Sequence, residues 1–250
     1  MKRMQDCLVV FFACVVLSLG LRTVGAQQET RERWSFEAAS EESLRASLAQ
    51  SGDTLDGKWR LVPGVRGNAV EFDGYTTGLT REAKKVPALG NAFTVSAWVA
   101  LDSYPWNWLP LADQSQFQQV GFSLAVDAFG HVGLSASVDG VWKQVVTEST
   151  LPLKKWVHVT GVFNGDSGLT ILVDGKVAGH LEAKGTFWQA VKMPLIVGRV
   201  REPEVSFPAW ISHPQDASWF SLEGDLGEVE LVGRAVSAEE DREAVAAAHA

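Results

Sequence analysis

Apolar residues alternate with small or polar residues along most of this chain, and this period of two limits the fold more than any other feature. Segments 93–101, 157–163 and 169–173 each place their apolar side chains at every second position. Successive side chains of a strand point to opposite faces, so each segment buries one face and exposes the other. About a dozen such segments, with no helical period between them, predict an all-β, two-sheet antiparallel jelly-roll sandwich.

Turn chemistry supports the same interpretation. Asp-Gly pairs stand between apolar runs at Asp73-Gly74, Asp139-Gly140 and Asp174-Gly175. Asp-Gly favours the tight turns that join antiparallel neighbours, so the three pairs predict three hairpins. The Ala-Phe-Gly run at 128–130 predicts a fourth turn.

Two segments depart from the strand pattern and predict helices. Ser237 and Glu240 have the spacing of a capping box, and the residues that follow are rich in helix formers. A second helix is predicted over 41–50, ending near Gly52. The expected organisation is a β-sandwich over 27–236 followed by a short C-terminal helix over 237–250.

The first 26 residues have the pattern of a secretory signal peptide. Lys2 and Arg3 precede a short apolar run, and small residues end at Ala26, where cleavage is expected. The run is shorter than the ~20 residues that a membrane-spanning helix needs. We therefore expect a secreted protein, whether extracellular, periplasmic or at the cell surface, that keeps no membrane segment after cleavage.

Cysteine content and charge narrow the possible chemistry and partners. Both cysteines, Cys7 and Cys14, lie within the predicted signal, so the mature chain has no thiol or disulfide. The formal net charge of −8 disfavours binding to nucleic acid or to anionic lipid.

Seven short motifs occur in an order and spacing that resemble the laminin-G-like jelly-roll domains of the concanavalin A-like lectin/glucanase superfamily. They are RWSFE at 33–37, PGVRGNAVEFDG at 63–74, FTVSAWV at 93–99, WVHV at 156–159, LVDGK at 172–176, GDLGEV at 224–229 and SAEE at 237–240. The resemblance covers essentially all of 32–245 and implies the sandwich fold.

A narrower resemblance concerns YPWNWLPL at 104–111 and DAFGH at 127–131. These segments are similar to a module found at the N-terminus of secreted microbial glycoside hydrolases, where a β-propeller catalytic domain follows. The resemblance implies a glycoside hydrolase catalytic domain as a partner. Because no propeller sequence follows here, we expect a free-standing relative or a module separated from its catalytic domain.

A carboxylate run offers a catalytic alternative. Glu223, Asp225 and Glu228 have the E-x-D-x-x-E spacing that is similar to the run supplying nucleophile and acid/base in laminarinase-type members. Retaining hydrolysis needs two carboxyl groups about 5 Å apart. Here the run lies near the C-terminus and is interrupted by glycines, so a weak glycoside hydrolase using Glu223 and Glu228 is only the second alternative.

Tryptophans are the stronger indication of function. Flat aromatic faces stack on the C–H faces of sugar rings, while amides and carboxylates bond the hydroxyls. Trp34, Trp98 and Trp156 lie in or next to regular strands and are assigned to packing. The residues in loop-like sequence are the predicted carbohydrate-binding residues, with covering of the core as the alternative: Trp106, Asn107, Trp108, Trp188, Trp210 and Trp219.

The resemblance also implies a structural Ca²⁺, which takes six to eight oxygen ligands. Glu37 near the first strand and Asp225 near the last are the predicted ligands, because the two terminal strands of this fold pair. Asp53 and Asp56 are alternatives, and solvated turn carboxylates are a third.

These observations together predict an exported, non-catalytic carbohydrate-binding domain that recognises a polysaccharide or a glycoprotein glycan, as an accessory to polysaccharide degradation. The first alternative is a structural module that docks a glycoside hydrolase. An open groove containing Trp106 and Trp108 would favour glycan binding, whereas a flat apolar patch around Trp210 and Trp219 would favour a protein partner.

Overall fold

Two antiparallel sheets pack face to face in the part of the chain that the computed structural model describes, residues 30–202 and 219–249. The strands are β1 (Arg31–Trp34), β2 (Asp53–Asp56), β3 (Arg60–Pro63), β4 (Asn68–Asp73), β5 (Gly78–Arg81), β6 (Ala92–Leu101), β7 (Leu109–Gln116), β8 (Val120–Val126), β9 (Val132–Val138), β10 (Val141–Val146), β11 (Val157–Asn164), β12 (Gly168–Val173), β13 (Lys176–Glu182), β14 (Leu195–Val197) and β15 (Glu223–Val232). The helices are α1 (Glu41–Ser51) and α2 (Ala238–Ala248), with a 3-10 turn at Ala83–Lys85. The predicted signal peptide and Trp210 lie outside the described residues.

The first sheet has the order β13-β12-β11-β6-β15-β4-β3, and the second has the order β10-β9-β8-β7-β14-β5-β2. Strand β15 changes its partner on one edge midway along its length. Its first half pairs with β4, and its second half pairs with β1. A β-bulge between Leu226 and Val229 separates the two halves. The arrangement confirms the predicted sandwich.

The core lies between the inner faces of the two sheets, as the alternation predicts. Phe93 of the first sheet and Phe122 of the second are fully buried, with ring centroids 5.0 Å apart. Phe163 and Phe187 complete an aromatic cluster around Phe93. Burying large aromatic side chains from both layers removes much apolar area from water, which holds the sheets together without disulfides.

Two of the three predicted hairpins are present, and the third prediction is wrong. Asp139-Gly140 joins β9 to β10 and Asp174-Gly175 joins β12 to β13, with all four residues at positive φ. At Asp73-Gly74 the chain instead crosses from the first sheet to the second, because β4 pairs with β3 and β15 while β5 pairs with β14 and β2.

The reason is a turn built on a side chain. Asp73 Oδ1 accepts hydrogen bonds from the backbone N–H groups of Tyr75, Thr76 and Thr77, at 3.2, 2.8 and 2.9 Å. Such a turn satisfies the local backbone without pairing the flanking strands with each other.

Both predicted helices are present, with the expected ends. Glu240 N–H donates to Ser237 Oγ, and Ser237 N–H donates to Glu240 Oε2, which is the predicted capping box. Helix α1 ends at Gly52, whose left-handed φ of 78° suits glycine. No helix among the described residues is long and apolar enough to span a membrane.

Helix α2 packs on the outer face of the first sheet. Its buried Asp241 accepts a hydrogen bond from Thr160 Oγ1 at 2.7 Å and lies 3.2 Å from His158 Nδ1. The His158 and Trp98 rings pack with their centroids 4.9 Å apart. The His249 ring meets Trp98 edge-on, with centroids 5.4 Å apart. The helix therefore covers part of the first sheet, whereas α1 contacts the second sheet at its edge strand β2.

Candidate functional site

A groove of about 350 Å³ lies on the outer face of the second sheet, across β7, β8, β9 and β10. Its floor follows from the strand alternation. Phe122 and Leu124 of β8 point into the core, so Ser123 and Ala125 point out. Small side chains on the outer face leave room above the sheet for a ligand.

A row of polar side chains crosses the floor at right angles to the strands. The register places Asp113 of β7 opposite Ser123 of β8, Ser123 opposite Ser135 of β9, and Ser135 opposite Gln144 of β10. Neighbouring strands lie about 4.8 Å apart, so the row is about 14 Å long. In the described part of the chain, no hydrogen bond engages the side chains of Ser123, Ser135 or Gln144.

Two tryptophans flank this row on opposite sides. A Cβ atom at Gly133 would lie 2.7 Å from the Trp108 ring, so the absence of a side chain there lets the ring lie over β9. Trp142 projects from the edge strand β10, opposite Ser137. Gly133 and Ser137 stand two residues to either side of Ser135, so the polar row runs between the two aromatic side chains.

The end of the polar row at β7 is fixed by a largely buried ion pair. Arg201 Nε donates to Asp113 Oδ1 at 2.8 Å, and Arg201 Nη2 donates to the carbonyl oxygens of Asp113 and Pro194 at 2.9 and 3.0 Å. Ser115 Oγ donates to the other carboxylate oxygen at 2.8 Å. Asp113 is therefore held rigidly at the floor of the groove.

The structure brings together only part of the predicted tryptophan set. Trp108 lines the groove, and the adjacent Asn107 accepts the Trp108 backbone N–H at 2.8 Å, which orients the segment before β7. Trp106 packs instead on Phe220, with ring centroids 4.4 Å apart. Whether Asn107 contacts a ligand stays a prediction.

Two other predicted tryptophans are exposed but lie outside the groove. Trp188 is 50% exposed and lies beside Gly140 at the β9–β10 turn. Trp219 is 46% exposed, and the Arg199 guanidinium carbon lies 5.4 Å from the centre of its ring. Neither belongs to the groove lining.

Sequence reasoning missed Trp142 and the polar floor. A signal was available in VGLSASV at 132–138, where Gly133, Ser135 and Ser137 occupy every second position of an otherwise apolar strand. An outer strand face of glycine and serine indicates a place where a ligand or another part of the chain approaches the strand closely. Which strands lie beside β9 could not be known without the register.

The carboxylate run lies on the other sheet and does not converge. Glu223 accepts a hydrogen bond from Ser103 Oγ, whereas Glu228 pairs with Arg33 of β1. Four positions of the neighbouring β6 separate the two glutamates, which corresponds to about 13 Å of strand. This geometry differs from the ~5 Å that retaining hydrolysis needs.

Asp225 lies between these glutamates on the outer face of the first sheet. Partial burial, together with the nearby carboxylates of Glu71 and Asp102, raises its pKa to about 6, and Arg60 only partly offsets this. The folded protein therefore favours the protonated, uncharged form of this carboxyl group.

We expect Asp225 to make stability fall as the pH rises from about 4 to about 6. The pKa of this group in the folded protein lies above the ordinary value of 3.8, so over this window the unfolded chain loses a proton that the folded protein keeps. Asp225→Asn should remove this part of the pH dependence. Urea unfolding of both proteins between pH 4 and 7 tests this, and parallel curves for the two would contradict it.

The predicted calcium ligands are not brought together. Glu37 is exposed beside Gly67, whereas Asp225 lies opposite Glu71, four residues further along β4. The alternative ligand Asp53 is committed to an ion pair with Arg81. No group of three His, Cys, Asp or Glu side chains placed to hold a metal ion occurs within 30–202 and 219–249. These residues do not fit a shared calcium site, and calcium binding stays a prediction of the resemblance alone.

Comparison with known proteins identifies the class. Residues 72–240, about two thirds of the chain, match the laminin-G model described as "Concanavalin A-like lectin/glucanases superfamily". The chain belongs to this family. A search of curated proteins found no match.

Similar solved structures agree on the fold. Domain 4 of AbnA, an extracellular GH43 arabinanase from Geobacillus stearothermophilus solved in complex with arabinotriose, is 12% identical with a TM-score of 0.60, over 86% of this chain and 98% of that domain. The binding domain of botulinum neurotoxin serotype G is 9% identical with a TM-score of 0.58, over 78% of this chain and 46% of that structure. The binding domain of Paraclostridial mosquitocidal protein 1 is 12% identical with a TM-score of 0.56, over 77% of this chain and 46% of that structure. The chain thus spans less than half of these two toxin domains.

Proposed function

We propose that this chain is an exported carbohydrate-binding module whose binding site is the groove on the second sheet. The observation that carries the proposal is the polar row from Asp113 to Gln144, which runs between Trp108 and Trp142 in a groove that neither described helix lines.

The chemistry of the groove matches that of a sugar chain. Each ring has apolar C–H faces that stack on indole, and hydroxyl groups at its edge that pair with serine, amide and carboxylate groups. Among the described residues, the side chains of Ser123 and Gln144 are free to make such bonds, and Ser135 lines the floor without a hydrogen bond of its own although it is only 4% exposed. Asp113 is already oriented by Arg201. A row about 14 Å long suits an oligosaccharide rather than a single ring.

The arabinanase domain solved with arabinotriose supports this proposal, because it has the same fold over nearly its whole length. The narrower resemblance to modules of secreted hydrolases supports an accessory role beside a glycoside hydrolase catalytic domain. The separation of Glu223 from Glu228 favours binding over hydrolysis.

The test is binding of the purified chain to a polysaccharide panel, measured by affinity electrophoresis and then calorimetry. Trp142→Ala should weaken binding about five-fold, because one aromatic stacking contact contributes about 1 kcal/mol. Trp156→Ala is the matched control, since Trp156 is also partly buried but lies near Gly227 on the first sheet. Failure of the unaltered chain to bind any member of the panel, or equal effects of the two variants, would refute the proposed site.

A further inference from the structure

The turn between β7 and β8 places a phenylalanine at one end of the groove. Phe117 is 73% exposed and belongs to the groove lining together with Gln118. Phe117 comes directly after β7, two residues beyond Ser115, so it lies beyond the polar row on the same side as Trp142. An exposed phenyl ring in a groove buries little apolar area on folding, so it contributes little to the stability of the protein.

Phe117 and Gln118 also have a strained backbone conformation in this turn. Phe117 and Gln118 have φ values of 52° and 53°, and the Gln119 N–H donates to the Gln116 carbonyl at 3.0 Å. Two consecutive left-handed residues define a hairpin turn that strongly prefers Asn-Gly. Side chains with a Cβ atom are disfavoured there, and a bulky aromatic residue especially so. The corresponding turn between β9 and β10 has Asp139-Gly140, which meets this preference.

Strain of this kind, retained where a less costly residue would form the same turn, is typical of residues that contact a ligand. Phe117 combines this strain with exposure inside the groove, and the two observations together support a role in binding.

The charges around the groove indicate which sugars it accepts. Among the described lining residues Arg201 is the only cation, and its guanidinium bonds the Asp113 carboxylate and two carbonyl oxygens. Glu202 adds a negative charge at the same end, and the whole chain is at −8. An anionic sugar would therefore meet like charge without a free cation to balance it.

We propose that the groove binds an uncharged sugar chain that extends beyond the polar row and stacks on Phe117. This inference rests on the proposed function and adds the ligand class and a residue that the groove uses to hold it.

Phe117→Asn separates a binding role from a structural one, because the two roles predict opposite results. Asparagine suits the left-handed turn, so the midpoint of thermal unfolding should rise by about 2–4 °C. Affinity for a neutral polysaccharide should nevertheless fall about five-fold, since the stacking surface is lost. Phe129→Asn is the control, because Phe129 is 71% exposed in the β8–β9 turn and does not line the groove.

The ligand class is tested with a neutral polysaccharide that binds and with its carboxymethylated derivative. The charged derivative should bind at least ten-fold more weakly at low salt, and the difference should shrink at high salt as repulsion is screened. Equal or tighter binding of the charged derivative would overturn the proposal, as would a Phe117→Asn variant with unchanged affinity.

The two proposals fail in different ways. If Trp142→Ala weakens binding and Phe117→Asn does not, the groove stands and the inference about Phe117 falls. If the unaltered chain binds no glycan, both fall.

Discussion

Asp53→Ala is expected to lower the free energy of unfolding by about 3–5 kcal/mol, because it leaves a buried arginine without its principal partner. Arg81 donates to both carboxylate oxygens of Asp53, at 2.7 and 2.8 Å, and the two side chains are only 6% and 1% exposed. Trp34 Nε1 also donates to Asp53 at 3.0 Å.

This network is a connection between the two sheets as well as a buried ion pair. Trp34 and Glu32 belong to β1 of the first sheet, whereas Asp53 and Arg81 belong to β2 and β5 of the second. Arg81 Nη1 donates to Glu32 at 2.6 Å, and the Arg81 guanidinium lies 4.3 Å from the centre of the Trp34 ring. Loss of Asp53 therefore weakens contacts in both layers.

Chemical denaturation of the purified variant measures the loss. Asp53→Asn keeps the volume but removes the charge, so a similar loss would assign the effect to the ion pair rather than to packing. Glu182→Ala is the matched control, since Glu182 and Lys184 form an exposed pair that should contribute less than about 1 kcal/mol. A change below 1 kcal/mol for Asp53→Ala would show that the network is dispensable.

The sequence was sufficient for the fold because its signals are local and repeated. Alternation along each strand identified which residues, such as Phe93 and Phe163, face the core, and Ser237 with Glu240 identified the start of α2. The hairpin expected at Asp73-Gly74 is absent although the sequence there has the same turn signal as the two hairpins that are present. A turn signal describes four residues and does not specify which sheet receives the next strand.

The candidate site was only partly predictable, because a groove is a property of strand register. Trp106 and Trp108 are two residues apart in one loop-like segment, yet one packs on Phe220 and the other lies over β9. Ser123, Ser135 and Gln144 are far apart in sequence and become neighbours only through pairing. The predicted calcium ligands failed to meet for the same reason, since pairing of terminal strands does not fix how far along them two side chains stand.

Trp108→Ala is expected to have the largest effect on binding, reducing affinity for a neutral polysaccharide by at least thirty-fold. A central aromatic residue of a binding site typically contributes about 2 kcal/mol or more, which corresponds to this factor. Trp108 lies over the floor at Gly133 next to the polar row, so a sugar ring bonded to Ser135 would rest against the indole.

Gly133→Val tests the same contact with the tryptophan still present. A side chain at Gly133 would enter the space of the Trp108 ring, where even a Cβ atom would lie 2.7 Å away, and must displace it. Binding should therefore fall to nearly the level of Trp108→Ala. Displacing the ring should also lower the free energy of unfolding by about 1–3 kcal/mol, so affinity is compared under conditions where the variant is folded.

Trp106→Ala is the matched control for Trp108→Ala, because it removes an indole two residues away that packs on Phe220 outside the groove. This variant should lose stability while its folded form keeps full affinity. Calorimetry on all three variants, with circular dichroism to verify folding, decides the matter. If Trp106→Ala weakens binding as much as Trp108→Ala and Gly133→Val does not, the binding surface lies around Trp106 and Phe220 and not in the groove.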